Sequence, residues 1–339
     1  LSFSTDVSQA ERIKANAEKG GCYQGQTHGH KGFLLEPTEA KAMMKANKAN
    51  AQVLFPFLIA DDFLGAVDKL ECRYVIDFQP RDLLKAKAFK QPFEHLEQTV
   101  LPARKEAAKK ERARNKEALD DDPEAKVNKH HENFLKRWWL MSYPREDLMR
   151  TLAPLSRYIV CARVTHRPIF EFVSTAIHPN DALSVFALED DYSFGILQSG
   201  IHWEWFINRC STLKADFRYT SDTVFDSFPW PQQPTTEAVR LVAKRAVEVR
   251  RLRSHLRAKH ELSLRELYRA IEGPGEHALK KAHKALDDAV RDAYGMSKKA
   301  DVLEALLELN EAVASAEADG KPVVGPGIPP SAKKLKDLV

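Results

Sequence analysis

Polar side chains suited to contacting nucleic acid are concentrated in a glycine-rich segment near the start of the chain. Residues 20–32 (GGCYQGQTHGHKG) hold five glycines. Glycine allows the backbone to approach a ligand closely, and Gln, His and Lys are residue types that contact bases and phosphates. The segment is therefore a candidate DNA-binding loop, although a tight connection of several turns would have the same composition. The candidate DNA contacts in it are Gln24, His28, His30 and Lys31.

Two later segments combine cations with aromatic or hydroxyl side chains. The segment 163–168 (RVTHRP) is expected at a hairpin tip, which could enter a DNA groove or be an ordinary polar turn. The segment 214–221 (KADFRYTS) follows Trp203 and Trp205, which are most simply core residues of a helix. The candidate groove contacts are Arg163, His166 and Arg167 in the first segment and Lys214, Arg218 and Tyr219 in the second.

Motifs for catalysis and metal binding are absent from the sequence. It contains no glycine-rich phosphate loop, no H-E-x-x-H, no G-x-S-x-G and no pair of closely spaced cysteines. His28 and His30 lie near Cys22, but no fourth ligand is close in sequence, so we do not predict a metal site. We therefore predict no catalytic, cofactor-binding or metal-binding residue in this chain.

Composition excludes several classes of protein. Hydrophobic residues make up 43% and charged residues 29% of the 339 residues, which is typical of a globular protein. The four cysteines are widely scattered, which favours reduced thiols in the cytoplasm over a secreted disulfide scaffold. No apolar run is long enough to span a membrane, so no membrane partner is expected. The net charge of +4 is too small to indicate a DNA partner without a clustered distribution.

Hydrophobic patterning predicts an α+β fold that is rich in β-structure before residue 234. Apolar runs at 157–164, 169–174, 183–188 and 192–197 are of strand length and spaced for a mostly antiparallel sheet. A charged helical insertion, roughly 81–140, precedes them. Its sparse apolar residues fit a solvated helix or a surface for phosphates, and both interpretations stay open.

The pattern changes to helix after Pro234. Apolar residues recur at steps of three and four from residue 238 onward, and residues 237–261 hold eight Lys or Arg against three Glu. Arg240, Lys244 and Arg251 could lie on phosphates, although a solvated face explains them more simply. The same basic helix with its apolar stripe would also suit docking to another protein. Residues 319–339 are rich in Pro, Gly and Lys, and we expect them to be disordered.

Several blocks of the sequence, in order, resemble the MmeI-like DNA methyltransferases. These are adenine-modifying enzymes of type IIL restriction–modification and related phage-defence systems. The most distinctive blocks are CYQGQTHGHKGFLLEPTEA (22–40), DDYSFGILQSGIHWEW (190–205) and RYTSDTVFDSFPWP (218–231). Further blocks are VLFPFLIADDFL (53–64), RYVIDF (73–78), RYIVCARVTHRPIFEFV (157–173) and the C-terminal LYRAIEG (267–273).

The resemblance implies that this chain is the C-terminal, target-recognition portion of a longer bacterial enzyme. The S-adenosylmethionine motif and the Asn-Pro-Pro-aromatic catalytic motif of the family lie upstream, so neither catalytic residues nor the cofactor can be assigned here. The implied partners are double-stranded DNA and the methyltransferase core. The implied domains are a junction with the core (1–19), a DNA target-recognition domain (20–234), a helical domain (235–318) and the tail (319–339).

The function implied is sequence-specific binding that positions duplex DNA for base flipping and adenine methylation by the core. Selection would require side chains that reach base edges, chiefly Arg or Lys to guanine and Asn or Gln to adenine. The alternative is a structural module that docks subunits of a DNA-defence complex. Steep weakening of DNA binding by salt would distinguish the two, because an apolar docking interface responds little to salt.

Overall fold

The computed structural model describes residues 5–18, 21–67, 72–213 and 216–333, and it confirms the α+β class. The strands are short: β1 (Cys22–Gln24), β2 (Leu34–Leu35), β3 (Leu54–Leu58), β4 (Arg73–Ile76), β5 (Arg157–Ala162), β6 (Val164–Thr165), β7 (Glu171–Ser174), β8 (His178–Pro179), β9 (Leu183–Phe186), β10 (Ser211–Leu213) and β11 (Asp216–Arg218).

Helices occupy more of the chain than strands do. The first seven are α1 (Lys14–Glu18), α2 (Pro37–Ala46), α3 (Ala60–Gly65), α4 (Leu83–Lys87), α5 (Lys90–Asp121), α6 (His130–Lys136) and α7 (Glu146–Leu152). They are followed by α8 (Asp191–Gln198), α9 (Gly200–Arg209), α10 (Thr236–His260), α11 (Leu264–Glu272), α12 (Ala278–Ala293) and α13 (Val302–Ala318). No helix among the described residues is long and apolar enough to cross a membrane.

The described strands form small sheets that are mostly antiparallel, as predicted. The central sheet has the order β1-β9-β5-β7, with Ile159 of β5 facing Phe186 of β9 and Phe172 of β7. A second sheet has the order β2-β4-β3-β8, in which β3 and β8 are parallel. The third, β10-β11-β6, pairs the predicted hairpin segment with the strand that carries Arg218.

The prediction of a strand at 192–197 is wrong, because these residues belong to α8. The Asp190 carboxylate accepts a hydrogen bond from the Ser193 backbone N–H and caps the helix. Every residue of α8 is buried, so its sequence lacks the polar face that marks an amphipathic helix. A short buried helix and a buried strand then have the same hydrophobic pattern, so periodicity alone does not distinguish them. By contrast, the helical assignment of Trp203 and Trp205 is confirmed by α9.

The charged insertion has a hydrophobic core of its own. Phe93, Leu96 and Val100 on the first half of α5 pack with Phe33, just before β2, and with Val75 of β4. Beyond this half, most side chains of α5 are exposed, as a solvated helix requires, with the buried exceptions Arg104, Ala108 and Glu111.

The C-terminal helices share one core with the central sheet. The apolar stripe of α10, including Val242 and Val249, is buried between α8 and α12 of the same chain. The boundary proposed near residue 234 therefore does not separate two hydrophobic cores. The stripe that suggested docking to another protein is already covered.

Both ends of the described chain pack against this body. The Asn16 side-chain amide donates to the backbone carbonyls of Phe225 and Phe228, at 3.0 and 2.8 Å. Near the other end, Gln232 exchanges two hydrogen bonds with the backbone of Val324, and Ala332 is buried. Residues 321–333, for which composition predicts disorder, are thus held by hydrogen bonds and an apolar contact that composition does not reveal.

A buried arginine joins the sheet to the helices. Arg253 of α10 is 1% exposed, and its guanidinium contacts a Glu171 carboxylate oxygen of β7 at 2.8 Å. It also donates to the Tyr268 hydroxyl of α11 at 3.3 Å and to the Gln198 side chain of α8 at 3.4 Å. A buried charge is tolerated only when it is paired and hydrogen-bonded, so these contacts hold the elements in register.

We predict that Arg253→Ala destabilises the protein strongly. Removing one partner of a buried pair leaves Glu171 and the neighbouring polar groups without their cation, which costs about 3–5 kcal/mol. The free energy of unfolding in urea measures the loss. The matched control is Arg251→Ala, on the exposed face of the same helix, which should change it by less than about 0.5 kcal/mol. Equal effects of the two substitutions would contradict the role of Arg253.

Burial also predicts a pH dependence at His283. Its Nε2 lies 3.0 Å from the Tyr268 hydroxyl, and burial together with the charges of Arg167 and Arg253 lowers its pKa from 6.5 to about 3. The ring therefore stays neutral in the folded protein, whereas the unfolded chain binds a proton as the pH falls below 6.5. The stability contributed by this group is complete above that pH and is lost progressively as the pH falls towards 3.

We expect His283→Gln to flatten this dependence. Relative to the variant, the unmodified protein should lose about 2 kcal/mol of unfolding free energy between roughly pH 7 and pH 5, measured by urea denaturation. His255→Gln alters an exposed ring and should leave the difference between the two pH values unchanged. If the unfolding free energies of the unmodified protein and of His283→Gln differ by the same amount at both pH values, the buried ring is not responsible for the pH dependence.

Candidate nucleic-acid interface

Buried Gln26 positions the loops of the candidate interface. Its amide nitrogen donates to an Asp77 carboxylate oxygen at 3.0 Å and to the Pro144 carbonyl at 2.8 Å. Its amide oxygen lies 3.0 Å from His178 Nδ1. Gln26 also forms a backbone bridge with Asn180. One fully buried side chain thus ties the glycine-rich segment to the ends of β4 and β8 and to the loop before α7.

The described glycines of this segment serve packing within the chain. A Cβ at Gly25 would lie 2.2 Å from the Asn180 backbone carbonyl oxygen, and one at Gly29 would lie 1.8 Å from Ser142 Oγ. Gly29 also has a φ of +76°, which favours glycine. Of the two interpretations of these glycines, the structure supports a tight connection of several turns. The polar side chains between the glycines remain candidates for binding.

Arg163 lies beside this connection, near the charges of Arg145 and Arg218. The Arg163 backbone N–H donates to the Ala182 carbonyl, and the Arg163 carbonyl accepts from the Tyr219 N–H, both at 2.8 Å. Burial and the nearby charges of Arg218 and Arg145 lower the pKa of Arg163, whereas Asp181 opposes the shift. Arg163 thus lies among positive charges that the nearby Asp181 carboxylate opposes. Such an excess of positive charge favours an anionic partner.

Gln24, a candidate DNA contact in the sequence, belongs to the same cluster. Its side-chain oxygen accepts a hydrogen bond from Arg145 Nη2 at 2.9 Å, and its nitrogen donates to the Asp181 carbonyl at 3.2 Å. We call Gln24, Arg145, Arg163, Asp181 and Arg218 the arginine surface. It combines amide, carboxylate and guanidinium groups, the types that read base edges and contact phosphates.

Sequence analysis did not identify Arg145 of the arginine surface or the neighbouring Tyr143. Arg145 has a φ of 52°, an uncommon left-handed conformation for a residue with a side chain, and it precedes α7. Its guanidinium lies 5.5 Å from the centre of the Tyr143 ring, which is 42% exposed. The segment SYPRED (142–147) contains no pattern that would have predicted this conformation.

The side chains of the hairpin candidates Arg163, His166 and Arg167 lie in different surroundings. Arg167 packs over the rings of Trp203 and Tyr268, at 4.4 and 5.2 Å, and pairs with Glu272. It therefore contributes to the contact between the hairpin and α11. His166 is exposed and lines a cleft of about 340 Å³ together with Arg265 and Arg269.

Tyr219 is not on the surface, contrary to the prediction that it contacts a DNA groove. It is 1% exposed, its hydroxyl lies 3.0 Å from His202 Nε2, and its ring stacks on Phe206. The residue before it, Arg218, is only half-buried, because successive residues of a strand point to opposite faces. Lys214 lies outside the described residues.

His28, His30 and Lys31 follow Gln24 of the arginine surface along the chain. His28 is half-buried against Phe57, with a pKa lowered mainly by burial. His30 Nδ1 accepts a hydrogen bond from the Gly32 N–H at 3.0 Å, and Lys31 is exposed. His30 lines a second cavity, of about 330 Å³, with Thr27, Arg104, His130 and Tyr143. The described residues contain no cluster of three or more potential metal ligands.

We predict that Gln26→Ala destabilises the protein by about 2–4 kcal/mol, because it leaves the buried Asp77 carboxylate and Pro144 carbonyl with fewer partners. The free energy of unfolding in urea measures this loss. Gln52→Ala removes an exposed amide of the same kind and should have an effect of less than about 0.5 kcal/mol. A Gln26→Ala protein as stable as the control would show that these loops are held by other contacts.

Three comparisons relate the chain to known proteins. Residues 160–232 match the family model of the MmeI target recognition domain. The DNA methyltransferase A of Bacillus subtilis (strain 168) is 32% identical over 121 residues, which is 35% of this chain and 13% of that protein. The structure of the Type IIL restriction-modification enzyme MmeI in complex with DNA is similar with a TM-score of 0.64 at 19% identity. That match covers 87% of this chain and 36% of the MmeI chain.

The matched family segment includes Arg163, Asp181 and Arg218 of the arginine surface. The chain spans little more than a third of the MmeI chain and a smaller part of the methyltransferase. Residues 160–232 thus match the MmeI target recognition domain, and the chain shares its fold with MmeI, in agreement with the family resemblance found in the sequence.

Proposed function

We propose that this chain recognises a specific sequence in double-stranded DNA through the arginine surface, as part of a restriction–modification methyltransferase. The observation that carries the proposal is that Arg145 binds Gln24, Gln24 binds the Asp181 carbonyl, and Arg163 lies near the charges of Arg145, Arg218 and Asp181. Three of these five residues lie in the segment that matches the MmeI target recognition domain. MmeI itself is described in complex with DNA.

The chemistry of the arginine surface suits both parts of DNA recognition. Guanidinium groups contact phosphates, and they also bind the O6 and N7 atoms of guanine with two parallel hydrogen bonds. The Gln24 amide can pair in the same way with adenine. Because Gln24 and Arg145 hydrogen-bond to each other, the two side chains are already oriented before a ligand arrives. Preorganisation of this kind lowers the cost of ordering side chains on binding.

The finer proposal concerns the parent enzyme. Adenine methylation requires the target base to leave the helix and enter a pocket. In our proposal this pocket and the S-adenosylmethionine site belong to a methyltransferase core outside this chain, and the chain selects and holds the duplex. We assign no catalytic residue and no cofactor ligand to this chain.

Docking of protein subunits remains the competing function, but its main support is weakened. It rested on the apolar stripe of α10, which is buried by α8 and α12. The exposed large apolar side chains, such as Leu84, Leu119 and Ile207, are spread over different elements. A protein-docking surface of ordinary size needs a contiguous patch instead.

The test is titration of the chain with duplex DNA by fluorescence anisotropy at about 50 and 200 mM salt. We expect affinity to fall steeply with salt, because phosphate contacts release counterions. Arg163→Ala and Arg218→Ala should each weaken binding about tenfold or more, and a phosphate-contacting arginine should lower the salt slope by about 1.

Lys299→Ala provides a matched loss of one exposed positive charge, at a position in the loop after α12. It should leave the affinity almost unchanged. If the double variant with Ala at Arg163 and Arg218 binds duplex DNA as tightly as Lys299→Ala does, the arginine surface is not the DNA interface. Binding that is independent of salt would favour the docking function.

A further inference from the structure

The second cavity contains a buried cation without a matching carboxylate. Arg104 of α5 is 7% exposed and lines the cavity of about 330 Å³ beside the arginine surface. Its guanidinium lies 5.4 Å from the centre of the Phe33 ring and 5.3 Å from that of Phe134. Among the described residues, no carboxylate forms an ion pair with it. A positive charge held in this way is energetically costly unless an anion joins it.

The existing partners of Arg104 are neutral. Nη1 donates to the carbonyl oxygens of Phe134 and Arg137, at 3.0 and 3.3 Å, and Nη2 lies 3.5 Å from Ser142 Oγ. These bonds use three of the five N–H donors of a guanidinium, and within the described residues two donors remain for a ligand. Burial and the charge of Arg137 lower the pKa of Arg104 to about 10, so it remains a cation at neutral pH.

Other hydrogen-bonding side chains surround the same cavity. His30, His130, His131, Thr27 and Tyr143 line it. Because His30 Nδ1 accepts the Gly32 N–H, the proton of its neutral ring lies on Nε2, which is then a donor. Burial and the neighbouring charges of Arg104 and Lys31 lower the pKa of His30. The Tyr143 hydroxyl and the imidazole donors around one guanidinium suit the several oxygens of a phosphate group.

We propose that this cavity is a phosphate-binding site in which Arg104 is the buried cation and His30 is a further donor. The phosphate is either a backbone diester of duplex DNA or a free phosphate or mononucleotide. Two contacts favour the duplex: Thr27 Oγ1 donates to an Asp181 carboxylate oxygen at 2.8 Å, and Tyr143 packs against Arg145. The cavity thus adjoins the arginine surface. In its duplex form the inference rests on the proposed function, whereas binding of free phosphate does not.

Arg104→Met and Arg114→Met form a matched pair for the test. Both remove a positive charge from α5, but Arg114 is exposed. Millimolar inorganic phosphate, compared with chloride at equal ionic strength, should raise the thermal unfolding midpoint of the unmodified chain and of Arg114→Met but not of Arg104→Met. With duplex DNA, Arg104→Met should bind at least about tenfold more weakly than Arg114→Met.

The outcomes separate the two sources of phosphate. Stabilisation by inorganic phosphate that depends on Arg104 supports a free phosphate site. A loss confined to duplex binding supports a backbone contact. The absence of both effects overturns the proposal. If Arg163→Ala and Arg218→Ala abolish duplex binding while Arg104→Met changes nothing, the phosphate site fails and the proposed function stands.

A measurement on the unmodified chain covers the case in which Arg104→Met does not fold. Histidine NMR signals, followed as a function of pH, report the pKa of His30 directly. Binding of phosphate or duplex DNA next to Arg104 should raise that pKa, because the anion offsets the neighbouring positive charge. A His30 pKa that is unchanged at saturating duplex DNA and at high phosphate concentration would overturn the proposal without any variant.

Discussion

Gln26 is the side chain on which the geometry of the candidate interface depends. It is 0% exposed and bonds at once to Asp77, Pro144 and His178, which come from separate parts of the chain. A buried amide has both donors and acceptors to satisfy, so neighbouring segments cannot shift without breaking a bond. Gln26 lies between Gln24 and Thr27, and Pro144 lies between Tyr143 and Arg145, so these bonds fix the backbone beside four residues of the interface and its cavity.

Arginines in this protein fall into two groups that differ in their partners. Arg253 pairs with Glu171, and Arg157 and Arg250 both contact Asp191, so each of these guanidinium groups forms a direct ion pair inside the chain. Such pairs hold elements together and need no ligand. By contrast, Arg104 and Arg145 donate only to neutral groups among the described residues, and Arg163 and Arg218 form no ion pair there. This difference in pairing, rather than the number of basic residues, distinguishes a binding surface from a structural contact. It also explains why a net charge of only +4 is compatible with an anionic partner.

The sequence alone predicted the α+β class, the helices after residue 234 and the core position of Trp205, because each depends on local hydrophobic periodicity. It did not predict α8, whose residues are buried on every side, or the burial of Tyr219, which depends on the pairing of β11 with β6. Arg163, Arg218 and Gln24 were found by residue type and loop position. Arg145 and Arg104 were missed, since the conformation of one and the burial of the other arise from contacts distant in sequence. DNA contact by any of these residues stays a prediction.

Amide hydrogen exchange of the chain, with and without saturating duplex DNA, tests the central claim most directly, because it locates the interface without altering any residue. We predict that duplex DNA slows amide exchange in residues 24–31, 142–145 and 163–166, with little change along the exposed face of α10. Protection confined to α10, around Arg240, Lys244 and Arg251, would place the DNA on the helical part of the chain. That result would contradict DNA binding by the arginine surface.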